Sequence, residues 1–318
     1  MKHSSSQADA DDSLALRAAW LHYVGGLTQA DVAKRLGLPS LKTHRMIARV
    51  VADGAVKVTI DGDIVECVEL EDRLRDNFGL SFCRVAPDLA ESGLPVRALG
   101  MAGADYLRSL LVSDQLTTLG LGHGRTLSSV VHQLPRIDAQ RVQFVSLLGC
   151  LTRNYALNPH DVMHRIAEKT GAHAYIMPVP FLANTVEDKE VLLSQRGVRE
   201  VFSMAESAEV KLVGIGTVEA AAQLVEAGMV QEDEMQDISS SGGVGELIGH
   251  FFDRHGRAIN TQLTARTLAV TLDTNRADKI VAIAGGENKI DAIRAVLASG
   301  LLHGLITDEI TASALVRK

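Results

Sequence analysis

Apolar residues follow two rhythms along this chain. In the first sixty positions they recur at helical spacing: Leu14, Ala18 and Leu21, then Ala30, Ala33 and Leu36, then Met46, Ile47 and Val50. Gly25-Gly26 stops the first series, Gly37 supplies a sharp turn after the second, and Leu38-Pro39-Ser40 leads into the third. Thr28 is placed to cap the second helix, and Asp31 sits in its first turn, where the helix dipole favours an acid. Three short helices in this order match a helix-turn-helix unit. Val56, Val58 and Ile60 then alternate as a strand or wing that ends at Asp61-Gly62-Asp63.

The second rhythm begins near residue 94, where apolar runs alternate with amphipathic stretches. Strands are predicted at Leu116 to Leu121, Val142 to Leu148, Ala174 to Pro178, Val210 to Ile215, Ile280 to Ala284 and Leu302 to Thr307, with helices in the intervals. Such alternation predicts an α/β domain with a mainly parallel sheet that binds ligands at the C-terminal ends of its strands. Between the two regions, Leu70, Leu74 and Phe78 form one helical stripe among charged neighbours. That stripe packs either on the large domain or on another subunit, and the second choice is slightly favoured because helix-turn-helix readers commonly act as dimers. The expected organisation is a disordered tail over 1–13 and a winged-helix-like helix-turn-helix domain over 14–62. A linker with an oligomerisation helix follows over 63–93, and a ligand-binding domain over 94–318.

Length supports this division, since 318 residues exceed the usual single domain. Hydrophobic residues make up 46% and charged ones 22%, ordinary globular usage. No apolar run reaches the roughly 18 to 20 residues of a membrane helix, and the N-terminus lacks the apolar stretch of a signal peptide, so a cytoplasmic location with no membrane partner is expected. Cys67, Cys83 and Cys150 are scattered, which predicts structural thiols and no metal site.

Charge changes the picture more. The net charge of −7 argues against nucleic acid until it is divided. Residues 14 to 60 carry seven Lys and Arg against Asp31 and Asp53, a local +5, while residues 1 to 13 carry −2 and the remainder −10. A basic head on an acidic body points to operator DNA as a partner of the head. In the third helix Arg45 and His44 are expected toward base edges, with Lys42 and Arg49 on phosphates. Thr28, Gln29, Ser40 and Thr43 complete the expected DNA-binding set. A short cationic helix that is merely solvated is the competing reading.

Four predicted strand ends are glycine-rich: Gly120 to Thr126, Leu147 to Cys150, Gly214 to Thr217 and Ala284 to Lys289. In the first, small residues let backbone N–H groups approach an anion at a helix start, with Arg125 and Thr126 adding donors. It is neither a Walker loop nor a dinucleotide fingerprint, since no GK[ST] follows and the third glycine is missing. A tight turn that needs glycine for geometry alone competes with that reading. Lys289 suits a phosphate or carboxylate, and Glu246, within Gly242 to Gly249, suits sugar hydroxyls or a helix cap. Acid/base chemistry has only scattered candidates in His250, Asp253, His255, Asp308 and Glu309, none in a specific motif.

The stretches GGLTQADVAKRLGL, LGLGHGRTL, FVSLLGCL, GGVGELIGHFFDRHG and VAIAGGENKIDAIRAVLASGLLHGLITDEITASALV, spread over residues 14 to 317, resemble the SorC family of sugar-responsive bacterial transcriptional regulators. The resemblance implies a helix-turn-helix joined to a domain similar to sugar-phosphate isomerases and deaminases. It further implies no cofactor, a homo-oligomer that is commonly a tetramer, and control of a carbohydrate or polyol operon by a small sugar, polyol or sugar phosphate. By position, Gly122, Gly124, Arg125 and Thr126 fall in the effector's phosphate loop, Gly149 beside it, Glu246 near hydroxyls and Lys289 at the anionic end. This chain has Pro39-Ser40 where Ser-Arg often begins the recognition helix, and Val244-Gly245-Glu246 where VGD is frequent. The rival class is an isomerase- or deaminase-like enzyme with a fused basic domain.

Overall fold

A computed structural model describes residues 3–56, 64–113, 115–151, 162–218, 225, 230–273 and 279–317. The chain divides into two compact units, residues 1–62 and 63–318.

The first unit holds three helices, α1 (His3–Tyr23), α2 (Gln29–Leu36) and α3 (Ser40–Ala52). Ala15, Ala18 and Ala19 on α1 bring the helices close enough for Val32, Met46, Ile47 and Val50 to close two small apolar clusters. Thr28 caps α2 by accepting from the Asp31 amide at 3.2 Å. Gly37 ends it with φ +65°, and the Leu38 amide reaches back to the Ala33 carbonyl at 2.9 Å. Residues 3–13, expected as a disordered tail, form the first turns of α1 instead. Asp11 and Asp12 lie across from α3, 3.9 Å from Lys42 Nζ and 2.6 Å from Arg49 Nη2. Of the expected wing, Val58 and Ile60 lie outside the described residues.

The second unit is built on seven parallel strands: β1 (Phe82–Ala86), β2 (Thr118–Leu121), β3 (Gln143–Leu151), β4 (His173–Pro180), β5 (Val210–Val213), β10 (Lys279–Ile283) and β11 (Gly304–Asp308). Their order is β1-β11-β10-β5-β2-β3-β4. All six predicted strands belong to this sheet with ends shifted by a few residues, as expected where helix and strand boundaries are set by tertiary contacts. A smaller antiparallel sheet, β6 (Gly216–Thr217), β7 (Gly243–Leu247), β8 (His250–Asp253) and β9 (Ala258–Ile259), was not predicted. Its strands are two to five residues long and two of them contain glycine, so they lack the β-branched runs that mark a strand in sequence.

Both faces of the large sheet are buried. In β10, Ile280 and Ala282 enter one apolar core, and Val281 and Ile283 enter the other. Two amphipathic helices, α5 (Val96–Val112) and α6 (Arg125–Gln133), cover the second face with Leu99, Leu107, Leu127, Val130 and Val131. On the first face Lys211 of β5 is fully buried, and its ammonium donates to the Glu206 and Ala208 carbonyls at 3.1 and 3.2 Å. Those carbonyls lie at and just beyond the C-terminus of a helix, where a cation is a favourable donor.

The segment 63–93, expected as a linker with an oligomerisation helix, belongs to this unit. Helix α4 (Val65–Phe78) buries Cys67, Leu70 and Leu74 in the same core as the C-terminal helix Glu309–Val316, and β1 forms the edge of the sheet. The apolar stripe therefore packs on its own domain, because β1 and β11 need a helical cover on that face. Leu74 is fully buried, so Leu74→Ala is expected to lower the unfolding free energy by about 2–5 kcal/mol. Urea denaturation followed by circular dichroism checks this; a change under about 0.5 kcal/mol, the scale of surface substitutions, removes the helix from the core.

Candidate functional site

The strand order reverses between β2 and β5. From β2 the chain steps outward through β3 to β4, whereas β5 leads to β10 and β11 on the other side. The connection after β2 runs into one core through Leu127 and Val130, and the connection after β5 runs into the other through Ile215 and Val218. Parting of these two connections opens a crevice at the C-terminal strand ends, the usual binding place in such sheets.

A pocket of about 590 Å³, counted out to its open mouth, occupies this crevice. One wall is the β2–α6 turn, Gly122 to Thr126, and the opposite wall is the turn after β5, Val213 to Thr217. Leu148, Glu246, Ile248 and Lys289 complete the lining. Gly124 has φ +120°, a conformation closed to other residues at this turn, and offers the start of α6 no side-chain cap. The exposed Arg125 begins that helix. A helix N-terminus, an arginine and a lysine thus face one small volume, an arrangement suited to an anionic group.

Two residues of the lining, Glu246 and Lys289, have their titration displaced by the site. Lys289 ends a short 3-10 turn, Glu287–Lys289, and its Nζ donates to the Ile215 carbonyl at 2.6 Å. Burial pushes its ammonium down to about 8, with the Arg125 charge acting in the same direction and Glu246 opposing both. Glu246 lies on β7, opposite Gly216 in register, and its Oε1 accepts from the Gly249 amide at 2.5 Å. Burial pushes this carboxyl up to about 6 against the hydrogen bonds from Gly249 and Gly216 and the attraction of Lys289.

The turn that holds Glu246 is under strain. Only Ile248 and Gly249 separate β7 from β8, with φ of +50° and +75°. Two positive φ angles suit a two-residue hairpin, but a β-branched residue there is costly. The result is a buried Ile248 in the pocket wall and a Gly249 amide aimed at Glu246.

Six of the seven expected effector residues, Gly122, Gly124, Arg125, Thr126, Glu246 and Lys289, line this one pocket. Gly149 does not. A Cβ at that position would lie 2.2 Å from the Pro180 carbonyl, and its own amide donates to Leu268 O at 2.8 Å, so this glycine serves the close approach of neighbouring chain. Leu148 stands in the wall where Gly149 was expected. The chain's acid/base candidates lie elsewhere. His250 Nε2 is bound to the Val270 carbonyl, Asp253 accepts from the His255 and Arg257 amides, Asp308 caps the C-terminal helix through Thr311, and Glu309 accepts from the Asp88 amide.

In the head, Lys42, His44, Arg45 and Arg49 are exposed on α3, as are Thr28 and Ser40. His44 Nδ1 lies 2.9 Å from Gln29 Oε1 and ties α3 to the start of α2. Thr43, expected as a DNA contact, is fully buried and donates to the Pro39 carbonyl at 3.3 Å. It belongs to the inward helical face with Met46, Ile47 and Val50, which excludes it from a recognition surface. Arg45 has no ion-pair partner among the described residues, unlike Lys42 and Arg49.

Comparison with known proteins agrees with this geometry. The Sugar-bind family of sugar-binding domains matches residues 62–317. The erythritol catabolism regulatory protein EryD of Brucella abortus is 62% identical over 309 residues, covering 97% of this chain and 98% of that protein. The transcriptional regulator LsrR of Klebsiella pneumoniae is 34% identical over 312 residues, covering 96% and 94%. Among solved structures, the full-length sorbitol operon regulator SorC from Klebsiella pneumoniae superposes with a TM-score of 0.69 at 25% identity, over 97% of this chain and 100% of that one.

The site predicts a pH dependence. An anion held by Lys289 needs the ammonium form, which prevails below about 8. Inorganic phosphate should therefore bind progressively more weakly above that pH, approaching about tenfold per unit as the protonated fraction falls. Calorimetric titration between pH 8 and 10, where phosphate keeps one charge state, measures this. Lys289→Arg, which stays charged, should flatten the profile; a parent profile that is already flat would refute the assignment.

Proposed function

The chain belongs to the SorC family of sugar-responsive transcriptional regulators, and on that premise we propose that it controls an operon for catabolism of a short polyol. Its effector on this reading is a small phosphorylated polyol or sugar held in the body. The observation that carries the proposal is the meeting of Arg125, Lys289 and the α6 N-terminus with Glu246 in a single pocket at the strand-order reversal. The cationic side takes the phosphate, and the Glu246 carboxylate accepts from hydroxyls. A four-carbon skeleton is the first to test, because erythritol appears in the name of the 62% identical relative.

The head serves as a helix-turn-helix reader of operator DNA. Arg45 reaches a base edge, His44 and Gln29 support it, and Lys42 and Arg49 exchange their aspartate partners for phosphates. Two or more heads act together, as a dimer or tetramer in the cytoplasm, so that an effector favouring one arrangement of the bodies alters the match to paired half-sites. A tenfold change in occupancy requires only about 1.4 kcal/mol of differential binding. The protein is a regulator and not an enzyme, in keeping with the names of its relatives.

A thermal-shift screen of sugars, polyols and their phosphates, erythritol 4-phosphate included, followed by operator mobility shifts, tests the proposal. Arg45→Ala should cost about 1–3 kcal/mol of specific DNA affinity and leave effector stabilisation unchanged. Lys289→Ala should do the reverse, binding operator like the parent but losing the effector response. Turnover of a phosphosugar at enzyme-like rates would overturn the regulator reading.

A further inference from the structure

Among the described residues other than glycine, Ala90 and Ile248 have a positive φ, and Ile248, at +50°, is the one branched at Cβ. Left-handed backbone is costly for such a side chain. The turn itself does not call for isoleucine. Two-residue hairpin loops with two positive φ angles favour Asn-Gly or Gly-Gly, which adopt them freely. Strain that persists where a relaxed residue would serve the turn points to work done by the side chain. Ile248 shares an apolar core with Leu148 and Phe181, and it also lines the pocket beside Leu148 and Glu246.

This part of the wall is braced from behind. A Cβ on Gly249 would lie 2.7 Å from Thr267 Cγ2 and 2.9 Å from Phe181 Cε2, so the turn is pressed against both. His250, the next residue, has its Nε2 2.9 Å from the Val270 carbonyl. The same segment holds Leu148: Ala269 bridges to it, and the Val270 amide donates to the Leu147 carbonyl at 3.0 Å. Residues 267–270 thus fix Ile248 and Leu148 together, and neither side chain has a donor or acceptor to offer. Glu246, two positions before Ile248 on the same hairpin, is the last acceptor side chain before this apolar surface.

We propose that Ile248 is a specificity-determining residue of the pocket, a fixed apolar stop that sets how long and how hydroxylated an effector can be. A ligand anchored by its phosphate at Arg125 and Lys289, and by a hydroxyl at Glu246, meets Ile248 and Leu148 with whatever it carries next. A hydrogen or the end of the chain fits there. A further hydroxymethyl group must either push back a braced wall or give up water for a hydroxyl that finds no partner. Position 248 therefore selects a short polyol phosphate over a longer one, and the strained φ is what it takes to hold that side chain at that spot. The inference rests on the reading of the pocket as the site of a phosphorylated polyol.

Erythritol 4-phosphate and sorbitol 6-phosphate carry the same phosphate ester on chains of different length, and calorimetric titration of the full chain with each tests the proposal. The ratio of the two affinities is the readout, because a variant that folds less completely loses both alike. The parent should bind the four-carbon compound at least about tenfold more tightly, the scale on which a filled pocket rejects an added group. Ile248→Gly takes the positive φ without strain and removes the wall, so it should erase most of that preference by gaining affinity for the six-carbon compound. Ile248→Val, one methyl smaller, should move the ratio the same way by less. A residue that served the core alone would lose stability on truncation and leave the ratio where it was. The parent's ratio in both variants therefore overturns the proposal, as does a parent that binds sorbitol 6-phosphate equally well or better. Should neither compound raise the melting midpoint in the parent and fail to do so in Lys289→Ala, the reading of the pocket falls, and the role of Ile248 with it.

Discussion

A parallel sheet has no face that can be left to water, and most of this molecule follows from meeting that requirement. Each central strand sends alternate side chains into two separate cores, as β10 does with Ile280 and Ala282 on one side and Val281 and Ile283 on the other. Helices are needed on both sides along the whole width of the sheet. At the β1 and β11 end the cover comes from α4 and the C-terminal helix, which is why the segment expected as a linker is part of the body. The same requirement explains Lys211. A charge inside a core costs several kcal/mol unless its hydrogen bonds are met, and here the ammonium donates to two carbonyls at a helix end.

The crevice is a by-product of that cover. Helices on opposite faces require the chain to leave β2 and β5 in opposite directions, and the space between the two connections is the pocket. Its chemistry then depends on desolvation. Burial weakens both charges, pushing the Lys289 ammonium down to about 8 and the Glu246 carboxyl up to about 6.

The head solves a different problem with far fewer atoms. Its two clusters are built from alanines on α1 and a handful of larger side chains from α2 and α3, so Met46, Ile47 and Val50 of α3 are committed inward. Thr43 shares that commitment despite its polarity, because its position on the helix decides its direction. The outer face carries Lys42, Arg45 and Arg49, and two of those cations are held by Asp11 and Asp12 from the segment expected as a disordered tail. Exposed pairs of this sort contribute at most about 1 kcal/mol each, so phosphate can displace them.

Local preference was enough to read the three head helices, Thr28 as a cap, Gly37 as a turn and six of the seven parallel strands, because each rests on spacing or on a residue's own conformational range. It also marked the glycine-rich strand ends and the charges at Arg125, Glu246 and Lys289, since small and ionisable residues at predicted strand ends are visible one at a time. Tertiary structure decided the rest. The assignment of α4 to the body, the role of Gly149 against Pro180 and the seating of Lys289 on Ile215, 74 positions away, depend on which segments the fold brings together. No period in the sequence encodes those meetings, because they arise from burying both faces of a sheet whose neighbouring strands are distant in the chain.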